Sequence, residues 1–312
     1  MPTLNHIHPL TANNDPEEVW TKVTGIVKKI NSSYDVGLVH EVYKDVLRLF
    51  NGQYPGYSAI RTPYHDLYHT LDVLICAVRL MHGVHVSGNK LTDQEITLVM
   101  LATMLHDIGY GQLIDEEFGT GAQYTLTHVD RGIEFMQKYV RDVRLPLEFS
   151  KPLACLMNST NPGMDFDDIN FPDGRTRLLG QIVGSADIVG QMADRTYLEK
   201  LLFLYLEFKE AKFGNYDSIH DLLCKTKNFY DVTRSKKLEG SYENIYQKFG
   251  AHFKAYTGQD INYYVESIDK NIGYLSKVIA LNEAEFHTML KRGGRSEVPQ
   301  SLKSISPKPT TA

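Results

Sequence analysis

Apolar residues recur at helical spacing along almost the whole chain, and this pattern restricts the fold more than any other feature. The first such stretch carries Val19, Trp20, Val23, Val27 and Ile30. Helix N-terminal signals precede it at Asp15-Pro16 and precede a later apolar stretch at Thr92, which forms a capping box with Glu95. The two-residue alternation typical of β-strands is nearly absent. The sequence therefore predicts an all-α fold, an irregular multi-helix bundle.

The same pattern predicts the domain organisation. Helices are expected at about 15–30, 35–50, 62–82, 92–105, 127–141, 147–159, 175–192, 196–212, 217–226, 241–257 and 260–291. Residues 160–174 are predicted to be a loop, because Pro, Gly and Asp are frequent there. We expect residues 1–14 to be a flexible lead, residues 15–292 a single helical domain, and residues 293–312 a disordered tail.

The composition argues against several classes of function. A net charge of −5, with Lys and Arg scattered along the chain, does not favour binding to a nucleic-acid duplex. Three widely separated cysteines without a CxxC pair indicate neither a disulfide framework nor a thiolate zinc site. The chain begins without an apolar signal-peptide core, and no apolar run is predicted to span a membrane. We therefore expect a cytoplasmic protein that acts on a small molecule, as a monomer or an oligomer.

Three short polar motifs interrupt the apolar pattern. His65 and His69 are four residues apart, so on one helix both rings would project from the same face. His106-Asp107 stands where an apolar helix runs into a glycine, and at a helix end these two side chains can converge on one ion. Asp187 is a lone carboxylate within an apolar helix. These residues are the candidates for a metal centre.

Two imidazoles and two carboxylates form a ligand set that suits Zn²⁺, Mn²⁺, Fe²⁺ or Mg²⁺. The two oxygens of Asp107 would allow it to bridge two ions. A hydroxide held between them would be a strong nucleophile toward phosphorus at neutral pH. The motifs therefore predict one or two divalent metal ions and a phosphoester substrate. The alternative is that the histidines lie on helix surfaces and that the carboxylates cap helices or bind backbone.

The order of these motifs resembles that of the HD superfamily of metal-dependent phosphohydrolases over roughly residues 60–195. The segment YHDLYHTLDV, from Tyr64, is especially similar to the YHNxxHxxDV signature of class I cyclic-nucleotide phosphodiesterases. The resemblance implies a bundle of the HD/PDEase type with a catalytic metal ion on four residues: His69, His106, Asp107 and Asp187. It also implies that Asp107 binds a second ion and that His65 is the general acid for the leaving oxygen.

The chain departs from the phosphodiesterase pattern around the second ion. Tyr110 stands where those enzymes have a second histidine, and Thr125 stands where they have a glutamate. His128, however, lies four residues before Gly132, as a metal-binding histidine does in the related HD-GYP phosphodiesterases. We therefore expect His128 to bind the second ion, with helix capping or packing as its alternative role. The glutamine that binds the purine in those phosphodiesterases has no convincing counterpart in this chain. The resemblance therefore supports phosphohydrolase chemistry better than it supports specificity for cyclic nucleotides.

Gln191 and Arg195 are the candidate substrate-binding residues. They follow Asp187 by one and two turns of the same predicted helix. Both could therefore reach substrate oxygens, and a guanidinium group suits a phosphate. A surface ion pair with Asp194 or Glu199 is the alternative for Arg195.

The predicted function is hydrolysis of a cyclic nucleotide or nucleotide-like phosphodiester, in which metal-bound hydroxide attacks and His65 donates the proton. A nucleotidase or phosphomonoesterase would use the same centre. HD-type oxidases with a mixed-valence di-iron centre need more ligands than this chain offers. A metal-binding sensor without turnover is the alternative outside the enzymes, and the replacements at Tyr110 and Thr125 motivate it.

Overall fold

Helices make up the regular structure of the chain. A computed structural model describes residue 10 and residues 15–116, 118–143, 145–282 and 285–290. Its α-helices are α1 (Pro16–Ile30), α2 (Gly37–Phe50), α3 (Leu67–Val86), α4 (Asp93–Leu105), α5 (His128–Asp142), α6 (Ser150–Asn158), α7 (Gly174–Ala193), α8 (Tyr197–Ala211), α9 (Ile219–Thr233), α10 (Phe249–Thr257) and α11 (Tyr263–Val278). In these residues the only β-type pairing is an isolated bridge between Tyr57 and Leu113. The predicted all-α multi-helix bundle is confirmed.

Shorter helical segments connect the α-helices. The 3₁₀-helices are Ile108–Tyr110, Ile114–Glu116, Ala122–Tyr124, Leu147–Phe149, Phe166–Asp168, Ile245–Lys248 and Phe286–Thr288, and Arg234–Ser241 is a π-helix. The predicted flexible lead (residues 1–14, except Leu10) and the predicted disordered tail (residues 293–312) lie outside the described residues.

Capping side chains set the starts of several helices. The predicted capping box is present at α4, where Thr92 and Glu95 exchange hydrogen bonds. The predicted start of the third helix at Thr62 is wrong. Instead α3 begins after Asp66, whose carboxylate accepts a hydrogen bond from the His69 N–H at 2.9 Å. An N-cap aspartate satisfies one of the free N–H groups of the first turn, so α3 begins five residues later than the start that Thr62-Pro63 indicated.

Helix α3 lies at the centre of the bundle and packs against α1, α4, α7 and α10. By length and composition it is apolar enough to cross a membrane, which the sequence analysis did not expect of any segment. However, 72% of its most apolar window is buried inside the fold. Burial on most sides also explains its apolar composition, because along its middle turns only a narrow stripe through Asp72, Ile75 and Arg79 is half-buried.

Two glycines bring neighbouring elements unusually close to the predicted centre. A Cβ atom on Gly109 would lie 1.8 Å from the carbonyl oxygen of His128, so only glycine lets α5 pack directly on the turn after α4. A Cβ atom on Gly184 would lie 2.5 Å from the hydroxyl oxygen of Tyr242. The first contact places His128 beside the end of α4, and the second places the segment after α9 beside α7.

Candidate metal centre

Four predicted ligands from three helices meet in the interior. His69 comes from the first turn of α3, His106 and Asp107 follow the end of α4, and Asp187 comes from the middle of α7. The distances are 3.3 Å from His69 Nε2 to Asp107 Oδ2, 3.4 Å from His69 Nε2 to Asp187 Oδ1, 3.1 Å from His106 Nε2 to Asp107 Oδ2, 3.9 Å from His106 Nε2 to Asp187 Oδ1, and 3.4 Å between the two Nε2 atoms. The structure thus brings all four together.

The adjacent His106 and Asp107 converge because the backbone leaves α-helical geometry between them. His106 keeps helical dihedral angles, with φ −60° and ψ −37°, whereas Asp107 has φ −100° and ψ 2°. Two consecutive residues of a regular helix would point about 100° apart. The change at Asp107 turns its carboxylate back toward the ring of His106, as the sequence analysis expected for a helix end.

Hydrogen bonds on the outer ring nitrogens orient the histidines. His106 Nδ1 lies 2.9 Å from the carbonyl oxygen of Thr103, and His128 Nδ1 lies 2.7 Å from that of Thr125. A carbonyl oxygen only accepts, so each Nδ1 carries a hydrogen, and each ring in its neutral form presents the Nε2 lone pair to the interior. This is the arrangement that metal-binding histidines use, with the far nitrogen held by a backbone carbonyl.

The donor set fits a divalent cation. Two ligands at about 2.1 Å from one ion lie about 3.0 Å apart at a right angle and about 3.4 Å apart at the tetrahedral angle. Most of the distances in the centre fall near this interval. Asp107 Oδ2 is buried and accepts no hydrogen bond, although two ring nitrogens lie close to it. A buried carboxylate oxygen without a donor is costly, and a cation between the four groups would satisfy it. His69, His106 and Asp107 form a buried group that can hold a metal ion.

The electrostatics of this group favour positive charge. Burial disfavours protonation of His69, but Asp107 and Asp187 outweigh it and raise the pKa of His69 to about 10. Burial likewise opposes ionisation of Asp187, yet the two histidines hold the pKa of this carboxyl below its ordinary value. The buried carboxylate of Asp107 and the half-buried carboxylate of Asp187 thus attract a cation, which can be a proton or a metal ion.

Asp107 presents its second oxygen to His128. The distance from Asp107 Oδ1 to His128 Nε2 is 3.5 Å. Burial lowers the pKa of His128 despite the nearby Asp107, so the ring is neutral at pH 7 and has a lone pair available. The two oxygens of Asp107 therefore face different nitrogen donors, which is the geometry expected of a carboxylate that bridges two ions.

Tyr110, which replaces the second histidine of the phosphodiesterase pattern, lies between two histidines. Its ring stacks on His65 with centroids 4.9 Å apart and on His128 with centroids 4.5 Å apart. Its buried hydroxyl makes no hydrogen bond within the described residues. The replacement thus keeps a flat ring in place of the imidazole and fixes the planes of both neighbours.

His65 lies next to the centre but not on α3, so the expectation that it shares a helix face with His69 is wrong. It precedes the N-cap residue, and the two rings are nevertheless 5.5 Å apart. Its Nδ1 lies 2.5 Å from Glu207 Oε2, and Glu207 Oε1 accepts the backbone N–H groups of Tyr64 and His65. Burial opposes protonation, but Glu207 and Asp107 raise the pKa of His65 above its ordinary value. Glu207 thus holds the ring in one orientation and stabilises its protonated form.

The sequence analysis did not identify Glu207. It is fully buried on α8, between apolar neighbours in the run Leu204 to Phe208. A lone carboxylate within such a run is the signal that could have found it, because a buried charge requires a partner. Its partner, however, lies 142 positions away along the chain and could not be named from the sequence.

The two predicted substrate-binding residues differ in position. Gln191 donates to Asp187 Oδ1 at 3.4 Å and accepts a hydrogen bond from the Tyr64 hydroxyl at 2.6 Å, so it lies at the edge of the centre. Helix α7 ends at Ala193, and Arg195 is exposed beyond it. The argument that placed Arg195 two turns along the same face as Asp187 is therefore wrong, because the helix ends before it.

Compared with known proteins, the chain matches no protein-family model, no curated protein and no solved structure.

Proposed function

We propose that this protein is a metal-dependent phosphohydrolase that cleaves a cyclic nucleotide or another nucleotide-like phosphodiester, with His65 as the general acid. The observation that carries the proposal is the placement of the His65–Glu207 pair beside four converging metal-type ligands. A structural histidine would need neither a buried carboxylate behind it nor an unsatisfied carboxylate in front of it. A proton donor next to a cation site is what hydrolysis of a phosphoester requires.

Each residue has a separate task in this proposal. His69, His106, Asp107 and Asp187 would hold one divalent ion, and Asp107 with His128 would hold a second. Such ions, whether Zn²⁺, Mn²⁺, Mg²⁺ or Fe²⁺, polarise a phosphoryl oxygen and lower the pKa of water. Glu207 binds Nδ1 of His65, which leaves Nε2 to donate a proton to the leaving oxygen.

The reaction can be tested with aryl substrates before the natural one is known. The metal-stripped protein is reloaded with Mn²⁺ or Zn²⁺ and assayed with bis-p-nitrophenyl phosphate, with p-nitrophenyl phosphate and with a panel of cyclic nucleotides. We expect diester hydrolysis by the wild type. Asp107→Asn should lower kcat on the order of a thousandfold, because loss of the ions removes several kcal/mol of transition-state stabilisation.

Asp130→Asn is the matched control, since Asp130 is an exposed carboxylate on α5. It should retain wild-type activity. Metal binding without turnover of any substrate in the panel would contradict the proposal and favour a sensor. Preference for the monoester would instead assign the centre to a phosphomonoesterase or nucleotidase.

A further inference from the structure

Tyr64, the residue before His65, is buried and forms hydrogen bonds toward two sides of the metal centre. Its backbone N–H donates to Glu207 Oε1 at 2.7 Å, on the side of the proposed proton donor. Its hydroxyl donates to Gln191 Oε1 at 2.6 Å, on the side of α7. These two elements are distant in sequence, since Gln191 lies 127 positions after Tyr64. Tyr64 therefore connects α8 and α7 at the edge of the centre.

The neighbours of the Gln191 side-chain amide set its orientation. Its Nε2 lies 3.1 Å from the backbone carbonyl oxygen of Asp187 and 3.4 Å from Asp187 Oδ1. A carbonyl oxygen and an ionised carboxylate only accept hydrogen bonds, so the NH₂ group faces them. Oε1 then faces the Tyr64 hydroxyl, which has to be the donor. The hydrogen bonds therefore run in one direction, from Tyr64 through Gln191 to Asp187.

The oxygen that receives the last of these bonds is the one that faces the other candidate ligands. Asp187 Oδ1 lies 3.4 Å from His69 Nε2 and 3.9 Å from His106 Nε2. The side chain of Asp187 is 15% exposed, compared with 3% for Asp107, so packing confines it less. A hydrogen bond that fixes such a carboxylate keeps one oxygen directed at an ion.

Gln191 by itself would hold this carboxylate poorly. Glutamine has a long side chain whose rotamer freedom is lost when it is fixed, and Gln191 is only half-buried. The Tyr64 hydroxyl opposes its rotation toward solvent, because it occupies the amide oxygen. The ring of Tyr64 is itself held by its neighbours, with centroids 4.9 Å from His65 and 5.9 Å from His69.

We propose that Tyr64 is a positioning residue that acts through Gln191 and holds Asp187 Oδ1 in place as a metal ligand. The proposal rests on the metal centre of the proposed function. It gives Gln191, the candidate for substrate binding, the task of orienting Asp187. Because Tyr64 also binds Glu207, which holds the His65 ring, one residue fixes both the metal ligand and the proton donor.

Metal affinity tests the proposal without turnover. Binding of Mn²⁺ is measured by isothermal titration calorimetry for the metal-free wild type, Tyr64→Phe, Gln191→Leu and the double variant. Phenylalanine keeps the ring and removes only the hydroxyl. We expect each single variant to weaken Mn²⁺ binding by about ten- to a hundredfold, as is usual for partners of metal ligands. The double variant should bind no more weakly than Gln191→Leu, because the two residues act in series.

Tyr43→Phe is the matched control. Tyr43 is a buried tyrosine of α2 whose hydroxyl donates to the Pro16 carbonyl at 2.8 Å, so the variant also loses one tyrosine hydrogen bond. It should bind Mn²⁺ as the wild type does. The visible absorption of the Co²⁺-loaded proteins reports the geometry of the ligands. Tyr64→Phe and Gln191→Leu should share one altered spectrum, and Tyr43→Phe should retain that of the wild type.

Three results would overturn the positioning role. The first is a Mn²⁺ affinity of Tyr64→Phe within about twofold of the wild type, and the second is an equal loss in Tyr43→Phe. The third is a double variant whose loss is the product of the two single losses, since Tyr64 would then act independently of Gln191. Melting temperatures of the metal-free proteins identify a folding defect, and Gln191→Met replaces Gln191→Leu if the latter does not fold.

The positioning role and the proposed function fail in different ways. Coupled losses of Mn²⁺ affinity in a protein that hydrolyses no phosphoester would leave the role of Tyr64 intact and refute the proposed function. Hydrolysis of phosphodiesters with a Mn²⁺ affinity that does not depend on Tyr64 would refute the positioning role alone. No Mn²⁺ binding by the wild type would refute both.

Discussion

Helix α3 buries a histidine near each end, and the surroundings give the two rings opposite properties. His69, in the first turn, faces Asp107 and Asp187. His82, near the last turn, faces His252 of α10, with 3.1 Å between the two Nδ1 atoms. Both rings of α3 are about equally buried, at 4% exposed. Burial alone therefore does not distinguish a candidate ligand from a structural histidine.

The charges around each ring make the difference. Carboxylates overcome burial and raise the pKa of His69 to about 10. Burial lowers the pKa of His82, with His85 and Lys29 acting in the same direction. Burial and Arg79 lower the pKa of His252 to about 3. The first end of α3 attracts a cation, whereas the second excludes one and leaves two neutral rings to share one hydrogen bond.

The largest expected difference between the two ends is in metal affinity. His69→Gln should weaken binding of Mn²⁺ or Zn²⁺ by more than about a hundredfold, since even the partners of metal ligands contribute ten- to a hundredfold. His82→Gln should leave the affinity close to that of the wild type. Calorimetric titration of both metal-free variants checks this. Similar losses of metal affinity in the two variants would show that the two ends of α3 do not differ in metal binding.

The next effect concerns the proton donor beside the first end. Glu207→Gln should lower kcat by about ten- to a hundredfold, because His65 loses the carboxylate that orients and charges it. Metal affinity should not change, since Glu207 contacts none of the candidate ligands within the described residues. Steady-state kinetics and metal titration measure the two quantities separately. Glu210→Gln, one turn further along α8 and bonded to Thr120, is the control and should have the smaller effect.

The histidine pair at the second end of α3, His82 and His252, makes the stability of the protein depend on pH. His252 is neutral when folded because its pKa is lowered to about 3, whereas the unfolded chain protonates it below about pH 6.5. The contribution of His252 to the free energy of unfolding is therefore fully present above pH 6.5 and is lost as the pH falls from 6.5 toward 3. Between pH 7 and pH 5 we expect a loss of about 2 kcal/mol from this residue.

Urea unfolding at pH 7 and pH 5 measures this loss as a difference between the wild type and His252→Leu. Acid-sensitive groups other than the partner His82 are common to both proteins and cancel in the comparison. An identical pH dependence in the two proteins would show that His252 is not held neutral by the fold.

The smallest expected effect is on stability and concerns Asp66, the N-cap of α3, which precedes the candidate ligand His69 by three residues. Asp66→Ala removes the N-cap bond to the His69 N–H and should lower the free energy of unfolding by about 1 kcal/mol. Chemical denaturation of the metal-free protein measures this. Asn at the same position retains an N-cap acceptor, so Asp66→Asn should recover most of the stability. A loss several times larger would indicate that Asp66 supports the centre beyond capping.

Much of the fold could be predicted from the sequence because its determinants are local. Apolar spacing and the Thr92 capping box indicated helices that the structure contains, although α3 begins later than expected. The turn at His106-Asp107 was also predictable, since a polar pair followed by Gly109 marks the end of an apolar helix. These signals act over a few residues, and the chain carries them wherever it folds.

What only the tertiary structure decided is which distant residues meet. Nothing near His65 indicates that Glu207 lies behind it. The motif at Tyr64–Val73 singled out His69 and not His82, but only the structure shows that His69 faces two carboxylates whereas His82 faces a second histidine. The sequence by itself determined the helices and the residue types available for a metal centre. The packing of α4 and α7 against α3, and the contact of α8 with the segment before α3, decided which of them share a buried space. Charge and desolvation act through distance in space and not along the chain.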